Sequence, residues 1–516
     1  MKAWYLTTTL PYVNADPHIG FALEIVQADA MVRYERLLGQ EVFFNTGTDE
    51  HGLKIYRKAL ERGIDPQTYC DEYAAKFRDL AGLLHLDHPT FIRTTDPHHV
   101  SAAQEFWKRC VDKGDIYQKN YQIKYCVGCE LEKTDSELID GKCEFHPSTP
   151  IELIDEENYF FRFSKYQEPL LDFYKKNPEF VVPNHRLTEI REFVKRGLED
   201  FSISRLTAKM PWGVPVPGDD TQVMYVWFDA LINYISTLGW PGERNEQVFT
   251  KFWGTVHEPN AIQMAGKDNL RQQTAMWQAM LMSAELPTSK QVFIHGYITA
   301  EGQKMSKSVG NVVNPYDVVG KYGVDAVRYY LLGALPADED GDFSDERFRI
   351  IYDTGLANGV GNLTSRILTM MEKYHAGTVP RVSPDVWSTE DFWVKYHAAF
   401  SRYAFDEVVR NVHMLIATCD TTISSQKPWE RVKQGEDISV LLYQLAETLR
   451  HIALALLPII PSSAEKILTS LGIDRNALAP LREEAVWGRL PEGAILSKPG
   501  SLFPRLEKLS EEKSAV

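Results

Sequence analysis

Two short segments, far apart in the chain, carry side chains suited to binding phosphate groups. His18 lies in PHIG, at the predicted start of a helix, where free N–H groups and the helix dipole favour an anion. Lys304 and Lys307 lie in the loop GQKMSKS, where two ammonium groups can stabilise charge on a pyrophosphate leaving group. Taken alone, such a histidine is more often a helix cap or a surface residue, and such a lysine pair more often belongs to a solvated basic loop. The absence of a GxxxxGK[ST] segment argues against ordinary NTPase chemistry.

Four other side chains have the spacing of a metal site. Cys126-x-x-Cys129 is followed, after 13 residues, by Cys143-x-x-His146. Three thiolates and one imidazole favour zinc, and four protein ligands leave no open position for catalysis. The alternatives are a loop without metal and a redox pair. We predict a structural zinc site, and we expect the three isolated cysteines to be small core residues.

Composition and charge limit the class of protein. The 516 residues include 56 Lys and Arg against 71 Asp and Glu, for a net charge of −15. An acidic chain is a poor general nucleic-acid coat, so any nucleic acid must bind at a local basic patch. No apolar window is long enough to cross a membrane, and the N-terminus lacks the apolar run of a signal peptide. We therefore expect a cytoplasmic protein that does not enter the membrane.

The hydrophobic pattern predicts how these residues are positioned. A strand over residues 3–9 is followed by a helix that ends before Gly39 and by a second strand that ends near Thr48. This order indicates a βαβ unit and a parallel sheet. The segment 115–225, with its cysteines and turn residues, reads as an insertion. The α/β pattern then resumes, and after residue 350 the periodicity is helical.

With these motifs in place, the sequence resembles the class I aminoacyl-tRNA synthetases and, among them, the methionyl-tRNA synthetase family. PHIG and KMSKS occur in the family's order, and TGTDEHG, NYFFR, SISR, PWGVPVP, YVWFDALINY and AGKD lie between them. The insertion is too short for the editing domain of the leucine, isoleucine and valine enzymes. Three positions depart from the family's pattern. Phe21 replaces a second His, Gln273 replaces a His five residues after Asp268, and Leu231 stands where some members have Pro.

The resemblance implies an α/β fold with four segments. A Rossmann-like parallel-sheet catalytic domain would comprise residues 1–114 and 226–350, interrupted by a connective insertion with a zinc knuckle at 115–225. An all-α anticodon-binding bundle would follow at 351–516. The implied function is that of a methionine–tRNA ligase. Methionine would be activated by ATP to methionyl-adenylate and transferred to the 3′ end of tRNA(Met), for translation initiation and elongation.

The resemblance also assigns residue roles. His18, Lys304 and Lys307 would be catalytic and would stabilise the transition state at the α–β phosphate bond. The ATP site would contain Asn14, His18, Gly20, Asp268, Lys304 and Lys307. The methionine pocket would contain Leu10, Tyr12, Asp49, Trp227, Ala230, Tyr234 and Gln273. Aromatic walls suit a thioether, and a carboxylate suits an ammonium group. Asn362, Arg366 and Trp429 would read the anticodon, since a planar indole can stack on an unpaired base.

The expected partners follow from this reading. They are tRNA(Met), methionine and ATP with Mg²⁺, alongside structural Zn²⁺. A monomer is expected, because the sequence lacks the extra tRNA-binding domain that makes some family members dimers. Two alternatives remain open. One is a synthetase-like ligase acting on a small molecule, against which the helical region argues. The other is a degenerate, non-catalytic tRNA-binding paralogue, supported only by Phe21 and Gln273.

Overall fold

The computed structural model describes residues 2–129, 131–133, 138–242, 245–305, 311–382 and 388–506. Strands and helices alternate in the first part, as β1 (Ala3–Thr8), α1 (Ile19–Leu37), β2 (Glu41–Thr48), α2 (Leu53–Glu61), α3 (Pro66–Leu83), β3 (Thr90–Arg93) and α4 (Pro97–Asp112). The predicted βαβ unit is confirmed, because β1 and β2 pair in parallel. Gly39 has a φ of +83°, which confirms the glycine predicted just beyond α1.

The next part is rich in short strands. It contains β4 (Ile116–Cys126), β5 (Leu131–Glu132), β6 (Leu138–Ile139), β7 (Lys142–Cys143), β8 (Glu152–Phe161), α5 (Gln167–Lys176), β9 (Val181–Val182), α6 (Asn184–Lys195), β10 (Phe201–Ser202), β11 (Ser204–Leu206), β12 (Pro215–Val216) and β13 (Asp219–Met224). Long antiparallel pairing of β4 with β8 holds this part together. The cysteine-bearing loops project from the end of that ribbon, at β5 and at the small hairpin of β6 and β7.

The α/β pattern then resumes, as predicted. Its elements are α7 (Val226–Ala230), α8 (Asn233–Ser236), α9 (Glu246–Phe252), β14 (Ala261–Gly266), α10 (Trp277–Ser283), β15 (Gln291–His295), β16 (Ile298–Ala300), β17 (Gln303–Lys304), α11 (Pro315–Tyr322), α12 (Val324–Gly333) and β18 (Gly341–Phe343). A π-helical turn at Gln272–Met276 precedes α10. Strands β17, β16 and β18 form a separate three-stranded sheet.

A six-stranded parallel sheet forms the core of the first 343 residues, in the order β3-β2-β1-β14-β15-β9. The chain moves outward from β1 in one direction through β2 and β3, and in the other through β14 and β15. The direction reverses between β1 and β14, where open α/β sheets bind ligands beyond the carboxyl ends of their strands. Edge strand β9 comes from within the segment expected to be an insertion, so that segment also completes the central sheet.

The remaining elements are helical, which confirms the predicted change of character near residue 350. They are α13 (Asp345–Ile351), a π-helical stretch (Tyr352–Gly361), α14 (Asn362–His375), α15 (Glu390–Ser401), α16 (Phe405–Gln426), α17 (Pro428–Lys433), α18 (Ser439–Leu456), α19 (Pro461–Ser470) and α20 (Leu481–Glu484). Helix α18 is buried along most of its length and forms the centre of this bundle. Among the described residues, every helix is too short or too polar to cross a membrane.

A buried arginine joins the bundle to the part of the chain that contains the parallel sheet. Arg328 on α12 is buried and donates hydrogen bonds to the carbonyls of Pro458 and Ile459, at 2.9 Å each, just after α18. The same guanidinium contacts the carboxylate of Asp29 on α1 at 2.7 Å. A buried charge that lost these partners would be costly, so the contacts fix the bundle against α1.

Candidate active site and metal centre

The candidate site lies where β1, β2 and β14 end side by side. The backbone N–H of Thr9 donates to the carbonyl of Met264 at 3.2 Å, which continues the pairing of β1 with β14. On the other side, Val13 N–H donates to the carbonyl of Asp49 at 3.2 Å. The carboxylate of Asp49 is buried, with 5% of the residue exposed. The loop after β1 is therefore held between two neighbouring strand ends.

His18 is the N-cap residue of α1. Its Nδ1 accepts a hydrogen bond from the N–H of Gly20 at 3.1 Å. A neutral imidazole that accepts at Nδ1 carries its proton on Nε2. The residue is exposed at the start of the helix. A Cβ at position 20 would lie 3.0 Å from the histidine ring, so glycine allows the ring to pack over the first turn.

A buried ion pair that was not predicted from the sequence lies beside this helix start. His295 Nε2 lies 2.9 Å from Glu24 Oε2, and Oε1 of Glu24 accepts from the N–H and hydroxyl of Thr9 at 2.8 and 2.6 Å. Burial alone would lower the pKa of His295, but the bonds to Glu24 outweigh burial and raise it. The available signal was Glu24's position one turn after Gly20 on the same helix face.

Aromatic side chains form the wall assigned to methionine. Tyr12 and Trp227 pack in one apolar cluster with buried Tyr225. The hydroxyl of Tyr12 donates to the carbonyl of His51. The indole N–H of Trp227 is buried and has no hydrogen-bond partner among the described residues. A half-buried indole beside a phenol gives a polarisable surface of the kind that suits a thioether.

The floor of this region is polar but uncharged. Tyr234 is buried, and the hydroxyl of Tyr5 donates to its carbonyl at 2.7 Å. The amide of Gln273 donates to the Tyr234 hydroxyl at 2.8 Å. Ala230 is buried in α7, and Leu10 is half-buried in the loop after β1. Burial raises the pKa of Tyr234, so this phenol stays protonated at neutral pH.

A second unpredicted network lies below the aromatic wall. Buried Asp229 contacts His51 Nδ1 at 2.7 Å and His99 Nε2 at 2.9 Å, and His99 Nδ1 lies 2.9 Å from the hydroxyl of Ser236. Burial alone would raise the pKa of Asp229, but the two histidines outweigh burial and lower it to about 2. The network ties His51, in the loop after β2, to α7, which carries Trp227.

The nucleotide loops are described in part. Asp268 lies in a tight turn at the end of β14, beside the hydroxyl of Tyr297, and Asn14 is half-buried in the loop before α1. The backbone of Lys304 lies in β17, which pairs with β16 across a turn at Glu301 and Gly302, with φ of 53° and 72°. Positive φ at both residues is typical of a type I′ turn. The side chain of Lys304 and the whole of Lys307 lie outside the described residues.

The structure brings the four predicted metal ligands together. The Sγ of Cys129 lies 3.3 Å from that of Cys143 and 3.1 Å from Nδ1 of His146, and all four ligand atoms lie within 4.8 Å of one another. In tetrahedral zinc sites, bond lengths of about 2.0–2.3 Å give ligand separations of roughly 3.5–3.8 Å. A Cβ at Gly128 would lie 2.4 Å from the ring of His146, so only glycine lets the ring close over this loop.

The three residues assigned to the anticodon lie on the surface of the bundle. Asn362 begins α14 and is exposed, and Arg366 follows one turn later, 3.2 Å from Asp420 on α16. Between them, Leu363 is fully buried, so the helix is anchored by its opposite face. Trp429 is the second residue of α17 and is 38% exposed, which leaves much of its ring surface open to solvent.

Comparisons with known proteins agree with this geometry. A family described as "tRNA synthetases class I (M)" matches residues 4–144 and 128–368. A methionine–tRNA ligase of Thermosynechococcus vestitus is 42% identical, covering 97% of each chain. That of Thermotoga maritima is 40% identical and covers 99% of this chain and 83% of its own. A Mycobacterium tuberculosis methionyl-tRNA synthetase, solved with methionyl-adenylate, superposes with a TM-score of 0.91 at 36% identity, over 98% of this chain and all of the other.

Proposed function

Because this chain belongs to the methionine–tRNA ligases, within the class I tRNA synthetases, we propose how its own residues carry out the family's reaction. The protein is an ATP-dependent ligase that activates methionine and joins it to tRNA. The observation that supports this most strongly is the match over almost the full length to methionine–tRNA ligases. The candidate site agrees with it, because it lies at the switch point of the sheet, where the strand order reverses between β1 and β14; we call it the switch-point site. The non-catalytic alternative gains no support.

Activation would take place above the ends of β1 and β14. We propose that the Nε2–H of His18 donates to an ATP phosphate oxygen at the positive end of α1. Gly20 would leave room for the nucleotide, and Asn14 and Asp268 would bind it from the neighbouring loops. Lys304 and Lys307 would stabilise the charge that develops on pyrophosphate. Mg²⁺ would accompany ATP as part of the substrate.

Methionine would lie between the aromatic wall and the strand ends. We propose that Asp49 pairs with its ammonium group and that Tyr12 and Trp227 contact its side chain. The remaining contacts are assigned to Leu10, Ala230, Tyr234 and Gln273. The carboxylate of methionine is then the nucleophile that attacks the α-phosphate, so the protein contributes position and electrostatics and no nucleophile of its own.

Transfer requires tRNA, and we propose that the bundle selects it. Asn362 and Arg366 would read base edges of the CAU anticodon of tRNA(Met), and Trp429 would stack on an unpaired base. Arginine is well suited to this, because its planar guanidinium combines fixed hydrogen-bond geometry with stacking. The ligase would act in the cytoplasm as a monomer. A single species of twice the monomer mass in light scattering would contradict the monomer.

The proposed reaction is tested by aminoacylation. Full-length protein, ATP with Mg²⁺ and methionine should charge a tRNA(Met) transcript with a CAU anticodon. A transcript differing only in the anticodon should be charged about 100-fold or more poorly, since each wrong base costs roughly 1–3 kcal/mol. Equal charging of both transcripts would contradict the proposal that the bundle reads the anticodon. Activation of methionine without charging of tRNA would show that the protein catalyses only the first step.

We propose that Cys126, Cys129, Cys143 and His146 hold one structural Zn²⁺. The donor set supports zinc, and four protein ligands leave the ion no open position for catalysis. Elemental analysis should give one zinc per chain, and Cys143→Ser should lose the metal and lower the thermal stability of the insertion. Cys419→Ser is the matched control, because Cys419 is a buried cysteine in the bundle. A Cys143→Ser protein that retains stoichiometric zinc would contradict this site.

A further inference from the structure

Lys76 lies on the exposed side of α3, beside the first turn of α1. The next residue, Phe77, is buried, and its ring packs at right angles to that of Phe21, with ring centroids 5.2 Å apart. This contact fixes α3 against the start of α1. Because successive residues of a helix are about 100° apart, Lys76 lies at the edge of the face that Phe77 packs. The packing therefore brings position 76 to the side of the helix start that His18 caps.

The ammonium group of Lys76 reaches the loop that leads into α1. Its Nζ lies 2.5 Å from Oδ1 of Asp16, which precedes His18 by two residues. Consecutive Cα atoms are about 3.8 Å apart, so Asp16 and His18 lie within about 8 Å of each other. The same ammonium lies 4.5 Å from the ring centroid of Tyr73. Lys76 is thus held within the length of a side chain of the proposed phosphate site.

The segment after the second signature meets Lys76 from the other side. The carbonyl of Lys76 accepts from the hydroxyl of Tyr316, in the first turn of α11, at 2.7 Å. Just before Tyr316, the carbonyl of Val313 accepts from the N–H of Ile19, the first residue of α1, at 3.0 Å. Both Val313 and Tyr316 follow Lys307 in the sequence. Lys76 therefore borders both of the segments proposed to hold ATP.

The ion pair between Lys76 and Asp16 can exchange for another partner. The two side chains are 47% and 60% exposed. An exposed ion pair contributes little to stability, because water solvates both charges. A polyphosphate carries several negative charges and forms stronger, charge-assisted hydrogen bonds with an ammonium group. Since Asp16 stays solvated when its partner leaves, Lys76 can turn to a phosphate at little cost.

Position 21 leaves room for such a donor. The family's pattern has a histidine there, whose ring nitrogens can donate hydrogen bonds. Phe21 has no hydrogen-bond donor in its side chain, and its ring is in contact with Phe77. The first turn of α1 therefore offers ATP the imidazole of His18 but no donor from the side chain of residue 21. Lys76 is the neighbour of Phe77 and so lies next to this position.

We propose that Lys76 binds the β- and γ-phosphates of ATP and supplies the donor that position 21 lacks. The inference rests on the proposed function and deepens it, because it adds a residue to the phosphate site. Lys76 exchanges Asp16 for phosphate oxygens and stabilises the charge that develops on pyrophosphate as the α–β phosphate bond breaks. It forms no covalent bond. Because it contacts phosphate and not the amino acid, its effect is confined to ATP and pyrophosphate.

The test removes the ammonium group and keeps the length of the side chain. In Lys76→Met, kcat/KM for ATP in ATP–pyrophosphate exchange should fall about tenfold, the equivalent of one charge-assisted hydrogen bond, and the KM for pyrophosphate should rise by a similar factor. The KM for methionine should stay within about twofold of wild type. Lys76→Arg keeps the positive charge and should keep most of the activity. Position 76 is exposed, so both variants should fold.

Lys58→Met is the matched control. Lys58 is a lysine of α2 that pairs with Glu61 at 2.6 Å, and the two side chains are 45% and 61% exposed, almost the same as the pair of Lys76 and Asp16. Its removal costs the protein one positive charge and one exposed ion pair, as the removal of Lys76 does. Lys58→Met should therefore show the constants of the wild type for ATP, pyrophosphate and methionine.

A double variant tests the link with position 21. In wild-type protein, Phe21→His should change the exchange rate little, because Lys76 already supplies the donor. In the Lys76→Met background, the same histidine should raise kcat/KM for ATP severalfold. A Lys76 that only anchors α3 predicts no such recovery, because the histidine weakens the contact with Phe77.

The opposite results are distinct. A Lys76→Met protein with the ATP and pyrophosphate constants of Lys58→Met would overturn the proposal and leave the proposed function intact. An equal rise in KM for ATP and for methionine would do the same, and so would a double variant that recovers nothing. A folded wild-type protein that exchanges with no amino acid would overturn the proposed function itself.

Discussion

The switch-point site places polar side chains in the interior of the protein, whereas the face of the bundle places polar side chains at the surface. At the switch point, Glu24 pairs with His295 across 271 residues of sequence, and both are buried. On the bundle, Asn362 is exposed, and Arg366 lies one turn away at the surface. The first region obtains its geometry from partners that exclude water. The second obtains it from the buried face of the helix that presents the side chains, where Leu363 and Ile367 are fully buried.

This difference separates two kinds of sensitivity. A buried paired charge cannot be removed without leaving its partner unsatisfied, so stability and chemistry are coupled at the switch point. An exposed side chain on an anchored helix can be removed at little cost to the stability of the fold. Substitutions on the bundle face should therefore change tRNA charging and leave amino-acid activation unchanged. A small substrate is enclosed by the protein, so the side chains that hold it must be buried and paired. A large substrate such as tRNA can be bound by exposed side chains on an anchored helix.

The largest effect is expected at His18. His18→Ala should lower kcat for ATP–pyrophosphate exchange by about 100- to 1000-fold, through loss of a donor to the reacting phosphates. It should also lower the free energy of unfolding by about 1 kcal/mol, through loss of the helix cap. His18→Asn retains an acceptor for the Gly20 N–H and should regain that stability without regaining full kcat. A kcat for the alanine variant within about twofold of wild type would exclude a role at the phosphates.

A buried carboxylate in the bundle, far in sequence from the switch-point site, tests whether the loss of a buried charge affects stability without affecting catalysis. Glu447 accepts from Arg450 at 2.7 and 3.0 Å and from the N–H groups of Gly488, Arg489 and Leu490. Burial alone would raise its pKa, but the bonds to His451 and Arg450 outweigh burial and lower the pKa from 4.5 to about 2.

Because the pKa of Glu447 is lower in the folded state, its contribution to stability is complete above about pH 4.5 and is lost as the pH falls toward 2. Glu447→Gln should therefore cost about 3 kcal/mol at neutral pH and less at about pH 3. Urea unfolding at both values measures this, with exposed Glu430→Gln as the control. A variant that unfolds like wild type at neutral pH would contradict this assignment, as would a loss of kcat beyond the loss of folded protein.

Arg366 tests the bundle face directly. Arg366→Ala should lower kcat/KM for tRNA charging by about 10- to 100-fold, equivalent to roughly 1–3 kcal/mol for one base contact. Amino-acid activation should be unchanged, because the residue lies outside the switch-point site. Arg402→Ala removes another exposed bundle arginine, paired with Glu407 at 2.9 Å, and should affect neither step. An equal loss of tRNA charging in both variants would indicate a general effect of positive charge. A loss of amino-acid activation in Arg366→Ala would contradict the independence of the bundle face from the switch-point site.

The smallest effect is expected at Phe21, where the chain departs from the family's pattern. Phe21 packs at right angles to Phe77, with ring centroids 5.2 Å apart, between α1 and α3. Phe21→His should destabilise the protein by about 1 kcal/mol through lost apolar contact and should leave the exchange rate within about twofold. A tenfold increase in kcat would show instead that this position acts on ATP.

Much of the architecture can be predicted from the sequence, because it depends on local sequence patterns. The period of α1, the glycine after it and the helical character beyond residue 350 are properties of short windows, and each is confirmed. The four metal ligands were also predictable, because they lie in two short pairs. Their convergence agrees with the spacing argument, since each pair needs only a tight turn.

The parts that escaped prediction depend on long-range packing. No local signal pairs Glu24 with His295, or Asp229 with both His51 and His99, since the partners approach only after the sheet has formed. Strand β9 is two residues long, and its place at the sheet edge is fixed by β15. The roles of Lys304 and Lys307 rest on the family resemblance, because the loop they share lies largely outside the described residues.

The central claim is that the switch-point site activates methionine. Its most direct test is ATP–pyrophosphate exchange with each of the twenty amino acids offered separately to the folded, zinc-loaded protein. The account predicts exchange with methionine and background rates with all the others. Exchange with a different amino acid would show that the pocket around Tyr234 and Gln273 selects another substrate. No exchange with any of them would contradict the claim.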